Sequence, residues 1–411
     1  MVLNYIFISF FLIALVMGVV DLLLTGQLSV FEAIVQSTFD QAKNGFEISL
    51  YLTGVLCLWL GFMRIAERSG LMGRIAGWSS PVLSRLFPSV PRDHPALGNI
   101  FMNFAANILG LDNAATPLGI KTMESLQELN AQKERATDAM IMFLAINASG
   151  LTIIPTSIIA YRMQAGAANP ADIFLPILIA TAVSTLVAVL CIGFKQRINF
   201  LQRPLLLFIL SFVALIGIVV WGARALPPHL FRSLSTGVSA VILFSIMCLF
   251  IVSGMRARIN VYDAFIDGAK EGFTTAITIV PYLIAILVGI GVFRACGAMD
   301  LLIEGLRKGI SLFGVDTQFV EALPTMLMKP LSGSGARGLM VDAMQTYGAD
   351  SFVGRMCCTV QGATDTTLYV VALYFGAVKV RDSRYTVSYS LLADLAGAVT
   401  AVFVTYLFFA N

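Results

Sequence analysis

Apolar residues in this chain run in blocks of about twenty, the length that crosses the hydrocarbon core of a bilayer. They do not follow the three-and-four spacing of a soluble helix face. Blocks expected to span lie at 5–24, 46–64, 172–194, 205–222, 234–254, 274–293 and 386–409. Two further blocks, 137–161 and 355–374, carry polar flaws: Asn147-Ala-Ser-Gly-Leu-Thr152 and Gln361-Gly-Ala-Thr-Asp-Thr-Thr367. Two segments are broken outright. Pro95 to Asn130 is interrupted by Gly110, Asp112, Asn113 and Pro117, and 319–347 by Lys329-Pro330-Leu331-Ser332-Gly333-Ser334-Gly335. Lipid tolerates broken backbone only where protein or a water-filled cavity satisfies the freed N–H and C=O groups. Each broken segment is therefore expected to be a re-entrant hairpin, and each flawed block a discontinuous helix. Amphipathic pieces are expected at 29–45, 71–88 (in the headgroup plane) and 301–314.

The same order of elements occurs twice. Ala269-Lys270-Glu271-Gly272-Phe273 echoes Ala42-Lys43-Asn44-Gly45-Phe46, and Gly45 stands as far before Gly70 as Gly272 before Gly297. A span, an amphipathic piece, a broken segment, a flawed span and a closing span follow in both halves, which predicts an internal repeat. Positive charges in short loops favour the cytoplasmic side. That rule puts Arg64 to Arg92, Lys195/Arg197/Arg203, Arg256/Arg258 and Lys379/Arg381/Arg384 inside, and all four agree if both broken segments are re-entrant. The two repeats are then inverted, with about eight full spans. Arg294, Arg307 and Lys308 fall outside, against the rule.

Composition agrees. The 411 residues are 58% apolar and 12% charged, with a mean hydropathy of +0.85, as expected of a multi-pass membrane protein. The net charge of +3 forms no basic block, so no nucleic-acid partner is expected. The six cysteines sit in apolar segments without a C-x-x-C pair and read as packing residues, with no metal site. The opening 24 residues lack a basic start and a cleavage site and are expected to stay as a first membrane helix. No G-x-S-x-G, H-E-x-x-H or phosphate-cradling loop is present, so no enzyme and no cofactor is expected.

Polar side chains at membrane depth are costly unless partnered, and a dense set marks a functional site. The candidate solute-binding residues are Asn107, Asp112, Asn113 and Thr116 at the first tip, and Asn147, Ser149 and Thr152 in the first flawed helix. Ser332, Ser334 and Arg337 at the second tip join Gln361, Thr364, Asp365 and Thr366 in the last flawed helix. Amides and hydroxyls suit a polar solute, and half-helix N-termini after Gly110 and Gly335 favour an anionic or electron-rich group. Lys329 and Arg337 either pair with Asp342 or Asp365 or neutralise a solute charge. Asp112 or Asp365 is the expected place for a coupling Na+ or H+. Any single Thr among these serves packing as readily as binding, because small polar residues also let membrane helices approach closely.

The segment HPALGNIFMNFAANILGLDNAATPLGIKTMESLQELN resembles the signature of the spore maturation protein A family. LPTMLMKPLSGSGARGLMVDAMQTYGADSFVGRMCCTVQGATDTTLYVVALYFGAVKVRDSRY is similarly close to spore maturation protein B. The chain looks like a fusion of the two. The resemblance implies two Gate, or nucleoside-recognition, repeats over 1–200 and 259–411, joined by connecting membrane helices over 201–258. It also implies a secondary-carrier fold in which two re-entrant hairpins and two unwound helices form the site, at 107–116, 147–152, 332–337 and 361–367. Concentrative nucleoside transporters and the ferrous-iron transport protein B carry related parts. The expected function is transport of a small polar, nucleoside-like solute by alternating access in a bacterial inner membrane. The alternatives are a non-transporting subunit that organises an envelope complex, and an exporter of an envelope precursor or small acid. Spans 5–24 and 205–254 are left over as scaffold for a homo-dimer or homo-trimer.

Overall fold

The computed structural model describes residues 2–109, 112–150, 155–312, 314 and 316–409, with backbone alone for residues 2, 3, 51, 109, 112–114, 228 and 232. Among the described residues every regular element is helical. The chain opens with α1 (Val2–Thr25), α2 (Ser29–Arg68), α3 (Leu71–Leu86), α4 (Pro95–Leu109), α5 (Asp112–Glu128), α6 (Asp138–Ala148), α7 (Thr156–Gln164) and α8 (Phe174–Lys195). Then come α9 (Arg203–Ala225), α10 (Pro228–Arg256), α11 (Val261–Ala295), α12 (Ala298–Ser311), α13 (Leu323–Met328), α14 (Gly333–Tyr347), α15 (Phe352–Ala363), α16 (Thr367–Ala377) and α17 (Thr386–Phe409). Seven of them (α1, α2, α8, α9, α10, α11 and α17) are long and apolar enough to cross a membrane.

The sequence pattern separates 29–45 from the span after it, but α2 is one helix of 40 residues. Its counterpart α11 likewise runs unbroken for 35. The only residue that could end α2 near that point is Gly45. A lone glycine costs a helix about 1 kcal/mol, and here its bareness is used. A Cβ on Gly45 would lie 3.1 Å from the Ile284 Cα of α11. The two long helices pack antiparallel along their length. A Cβ on Gly272 would meet the Cys57 Cα at 2.7 Å, and one on Gly268 the Leu60 carbonyl oxygen at 2.2 Å. Small residues let backbones approach this closely, and dispersion contacts then replace the hydrophobic drive that lipid cannot supply. Ion pairs close one end, Arg64 with Glu271 at 3.3 Å and Arg68 with Asp267 at 2.8 Å.

A second antiparallel pair, α8 and α17, crosses where the Ser184 hydroxyl donates to the Ala393 carbonyl at 3.0 Å, beside Gly397. Between the two pairs sit the short helices. The helices α4 and α5 fold back on each other, with Asn99 Nδ2 on Ser125 Oγ at 2.9 Å and Asn103 Nδ2 on the Ala115 carbonyl at 2.8 Å. Pro117, placed in the interruption by the sequence pattern, lies inside α5. It is close enough to the start that its missing N–H costs one early carbonyl its partner. The second broken segment has the shorter first arm: α13 ends at Met328 and α14 starts at Gly333, capped by Ser332, whose Oγ accepts from the Gly335 N–H at 3.1 Å. The half-helix N-terminus thus precedes Gly335.

Each flawed span is divided into two helices, α6 and α7 in the first and α15 and α16 in the second. Thr137 and Ser351 cap α6 and α15 by accepting from the N–H groups of Met140 and Gly354. The break between α15 and α16 is the extended segment at Thr364. Two loop clasps hold the outer ends. In one, Arg135 meets Asp382 at 3.2 Å, and Arg384 and the Tyr385 hydroxyl both reach Asp138. In the other, the fully buried Arg162 meets Asp172 at 2.8 Å and Asp350 at 2.9 Å, and Arg355 meets Asp172 at 2.8 Å. The four basic clusters gather at one end. Ser253 near the end of α10 bonds Ser69 at 2.9 Å, and Gln196 after α8 bonds the Asp138 carbonyl. Leu83, Leu205, Ala136 and Val380 share one apolar cluster. At the other end, Arg294 pairs with Asp342 at 2.5 Å, Arg307 with Glu321, and Lys308 with Glu304 at 2.7 Å.

Two glycines on the paired helices should respond oppositely to a methyl group. Gly272→Ala forces the Cys57 backbone aside and is expected to lose about 1–3 kcal/mol of stability. Exposed Gly54, with nothing within 4 Å of its Cβ position, is expected to gain about 0.4–1 kcal/mol as Gly54→Ala. Thermal unfolding of both variants in detergent checks the sign of each.

Candidate functional site

The helix ends that flank the four interruptions meet. Ending a helix in an apolar interior frees backbone groups that must find partners, and here the breaks supply one another. The Asp365 N–H donates to the Ala148 carbonyl at 2.8 Å, which ties the end of α6 to the break between α15 and α16. The Leu368 N–H donates to the Pro330 carbonyl at 3.1 Å and ties the second tip to α16. The first tip is tied by side chains, because Asn107 Nδ2 donates to Asn147 Oδ1 at 2.9 Å and to Asn103 Oδ1 at 3.1 Å. Gly150, at φ +62°, allows the closest approach, since a Cβ there would sit 2.9 Å from the Asp365 nitrogen.

The junction encloses a polar cavity of about 280 Å³. Of the residues singled out by sequence, Asn107, Thr116, Asn147, Arg337, Gln361, Thr364 and Asp365 line it. Ser149 is turned away and buried, sharing a hydrogen bond of 3.0 Å with Thr185. Ser332 is occupied in capping α14, with the Ser334 hydroxyl 3.3 Å from it. Thr366 is buried against the bare face of Gly333. Thr152 lies outside the described residues, as do the side chains of Asp112 and Asn113, whose backbone opens α5.

Two lining groups face the cavity with capacity to spare. Gln361 is buried, yet its Oε1 has no hydrogen-bond partner among the described residues. Arg337 has no carboxylate within 4 Å among them, and its guanidinium stands over the Tyr161 ring at 5.9 Å. Asp342, one of the acids expected to pair with it, belongs to Arg294. Lys329 also lines the cavity. The Asp365 carboxylate turns back to accept from the Thr366 N–H at 2.7 Å. Sequence reasoning missed Thr156, Ser157, Tyr369 and Tyr374, all on the wall. The signal was present. Thr156 and Ser157 follow the Pro155 that restarts a helix, and Tyr369 and Tyr374 fall within two turns of the break at Thr366.

Comparison with known proteins matches residues 49–166 and 276–381 to the Gate family, described as nucleoside recognition. Spore maturation protein A of Bacillus subtilis is 44% identical over 175 residues, 43% of this chain and 88% of that protein. Spore maturation protein B of the same organism is 40% identical over 158 residues, 38% of this chain and 87% of that protein.

Labelling tests whether water reaches this wall. In a background without native cysteines, Ser157→Cys is expected to react with a water-soluble thiol reagent at least about tenfold faster than Ser149→Cys. Only the former lines the cavity, and a thiolate forms where water solvates it. Equal rates would show that the cavity is dry.

Proposed function

The chain belongs to the Gate, or nucleoside-recognition, family and unites in one polypeptide counterparts of both spore maturation proteins; from that premise we propose that it is a secondary carrier of a small polar solute. Its two halves are inverted repeats, with α4–α5 and α13–α14 as re-entrant hairpins. The observation that carries this reading is the junction itself: amide, guanidinium and hydroxyl groups from all four interruptions line one cavity.

Support for the inversion comes from contacts that exchange. Superposing Gly45–Gly70 on Gly272–Gly297 turns the contact of Gly45 with Ile284 into that of Gly272 with Cys57, and both are backbone-close. Gly70 and Gly297 start α3 and α12 at φ +71° and +78°. In each half the loop after the broken segment is clasped to the other half, Asp138 by Arg384 and Asp350 by Arg162. An axis that swaps two antiparallel spans lies in the membrane plane, which is the symmetry of many alternating-access carriers. Basic clusters at one end set that end in the cytoplasm. The exceptions Arg294, Arg307 and Lys308 at the other end are each neutralised by an acid.

The solute follows from the wall. About 280 Å³ is at the small end of ligand pockets, which run from roughly 300 to 1,000 Å³, so a single metabolite fits and a lipid does not. Arg337 and Lys329 favour a negative or electron-rich group. Gln361 Oε1 awaits an N–H or O–H donor, and Tyr369 and Tyr374 offer aromatic faces. A nucleoside-like solute, or a small acid with a donor, meets these terms.

Thermal stability against nucleosides, amino acids, dipeptides and small acids tests the reading. A solute at a hundred times its Kd raises stability by about 2.7 kcal/mol. The expected result is at least one stabilising solute whose effect disappears in both Gln361→Ala and Arg337→Gln. If no solute shifts the wild type while those variants stay folded, the carrier reading gives way to a membrane scaffold.

A further inference from the structure

Another set of buried oxygens lies beyond the Thr364 break, outside the polar cavity. Asp394, in the middle of α17, is 4% exposed, and neither carboxylate oxygen has a hydrogen-bond partner among the described residues. A carboxylate without a partner at membrane depth is among the costliest groups a protein can bury, unless a proton or a cation neutralises it. One turn earlier on the same face, Ser390 is fully buried and its hydroxyl has no partner either. This is unusual in these helices, where the Ser184 and Thr405 hydroxyls donate to backbone carbonyls. Facing Asp394 across the helix contact is Thr367, fully buried at the start of α16, its hydroxyl also unpartnered.

Two carboxylate and two hydroxyl oxygens thus collect from α16 and α17 with no well-formed hydrogen bond among them, and Thr367 and Thr364 are the hydroxyl side chains nearest the carboxylate. Asp394 itself borders a second cavity, of about 730 Å³, with an Asp316–Tyr406 hydrogen bond of 3.0 Å on its wall. Thr364 and Lys329 line this cavity and the polar one alike. Charged groups near Asp394 are Lys329, from the tip between α13 and α14, and Asp365, from the break. The parts of α6, α8 and α9 buried in the span carry none, and Arg355 of α15 is held in the distant clasp by Asp172.

We propose that Asp394, Ser390 and Thr367 form a sodium site, separated from the solute cavity by Thr364 and Lys329. A proton would neutralise the carboxylate but supply a single new donor to this set of oxygens, whereas a hard cation takes all four oxygens at once. One carboxylate balances one positive charge, and a divalent ion is held by more. Sodium at Asp394 changes the field on Lys329, which reaches a solute on the other side of the break. That coupling rests on the carrier reading, while the ion site does not.

The test uses the purified full chain without solute, at fixed pH and ionic strength, in sodium, potassium or choline chloride. Sodium is expected to raise Tm by about 2–4 °C over potassium. Asp394→Asn, Ser390→Ala and Thr367→Val should each lose that difference, and Gly54→Ala should keep it. Should Asp394→Asn fail to fold, the two hydroxyl variants carry the test. Equal Tm in sodium and potassium overturns the proposal, as does a sodium effect that survives all three substitutions. A Tm that instead depends on pH equally in both salts, and loses that dependence in Asp394→Asn, makes the ligand a proton and overturns the sodium assignment. A sodium effect alongside a solute panel without hits removes the carrier reading and leaves the ion site standing.

Discussion

A helix cannot end inside an apolar interior without partners for the backbone groups it exposes, and this constraint organises the molecule. Four elements end there, and each finds its partners on another. Asp365 donates to Ala148, Leu368 to Pro330, and Asn107 bridges to Asn147. No single break would be tolerable alone in lipid. The same bonds that satisfy the backbone bring polar side chains from distant parts of the chain around one cavity. Architecture and cavity are therefore one event: the ends that must be paired are the ends that line it.

That junction is held between two tight helix pairs. The glycine contacts of α2 and α11 draw two backbones together so closely that neither can rotate without collision. A rigid frame of this kind leaves the short helices as the elements with fewest long-range constraints. Elements that move in proteins are drawn from such low-stability parts. Loop clasps at both ends, one built on Arg384 and Asp138 and the other on the buried Arg162, join the repeats at the rim. A buried guanidinium with two carboxylates is costly to break, because losing one partner leaves the other charge stranded. The clasps thus hold the two halves of the chain together at both ends of the junction.

Much of this was legible in the chain before any coordinates. Apolar blocks marked the spans, and Gly, Pro and Asn marked the places where they fail. The flaw at Gln361–Thr367 is where α15 gives way to α16, and the tip at Lys329–Gly335 is where α13 gives way to α14. Signals of this kind are local: a residue's own propensity and its neighbours within a turn suffice. The continuous α2 was misjudged because Gly45 looks like a stop in sequence and is a contact in space.

Orientation was beyond such signals. Ser149, Ser332 and Gln361 are alike as polar residues at breaks, yet the first bonds Thr185, the second caps a helix and only the third faces the cavity with an oxygen to spare. Asp394 drew no notice in sequence, since one acid in a closing span reads as a flaw. What makes it a site is Thr367 and Ser390 beside it, and Thr367 comes from another helix. The amino-acid order by itself determined where helices run and stop, because turn chemistry and apolar length act within a few residues. Which polar atoms are left unpaired was decided only by tertiary structure, because a hydrogen bond's partner is a matter of distance in space and not of distance along the chain.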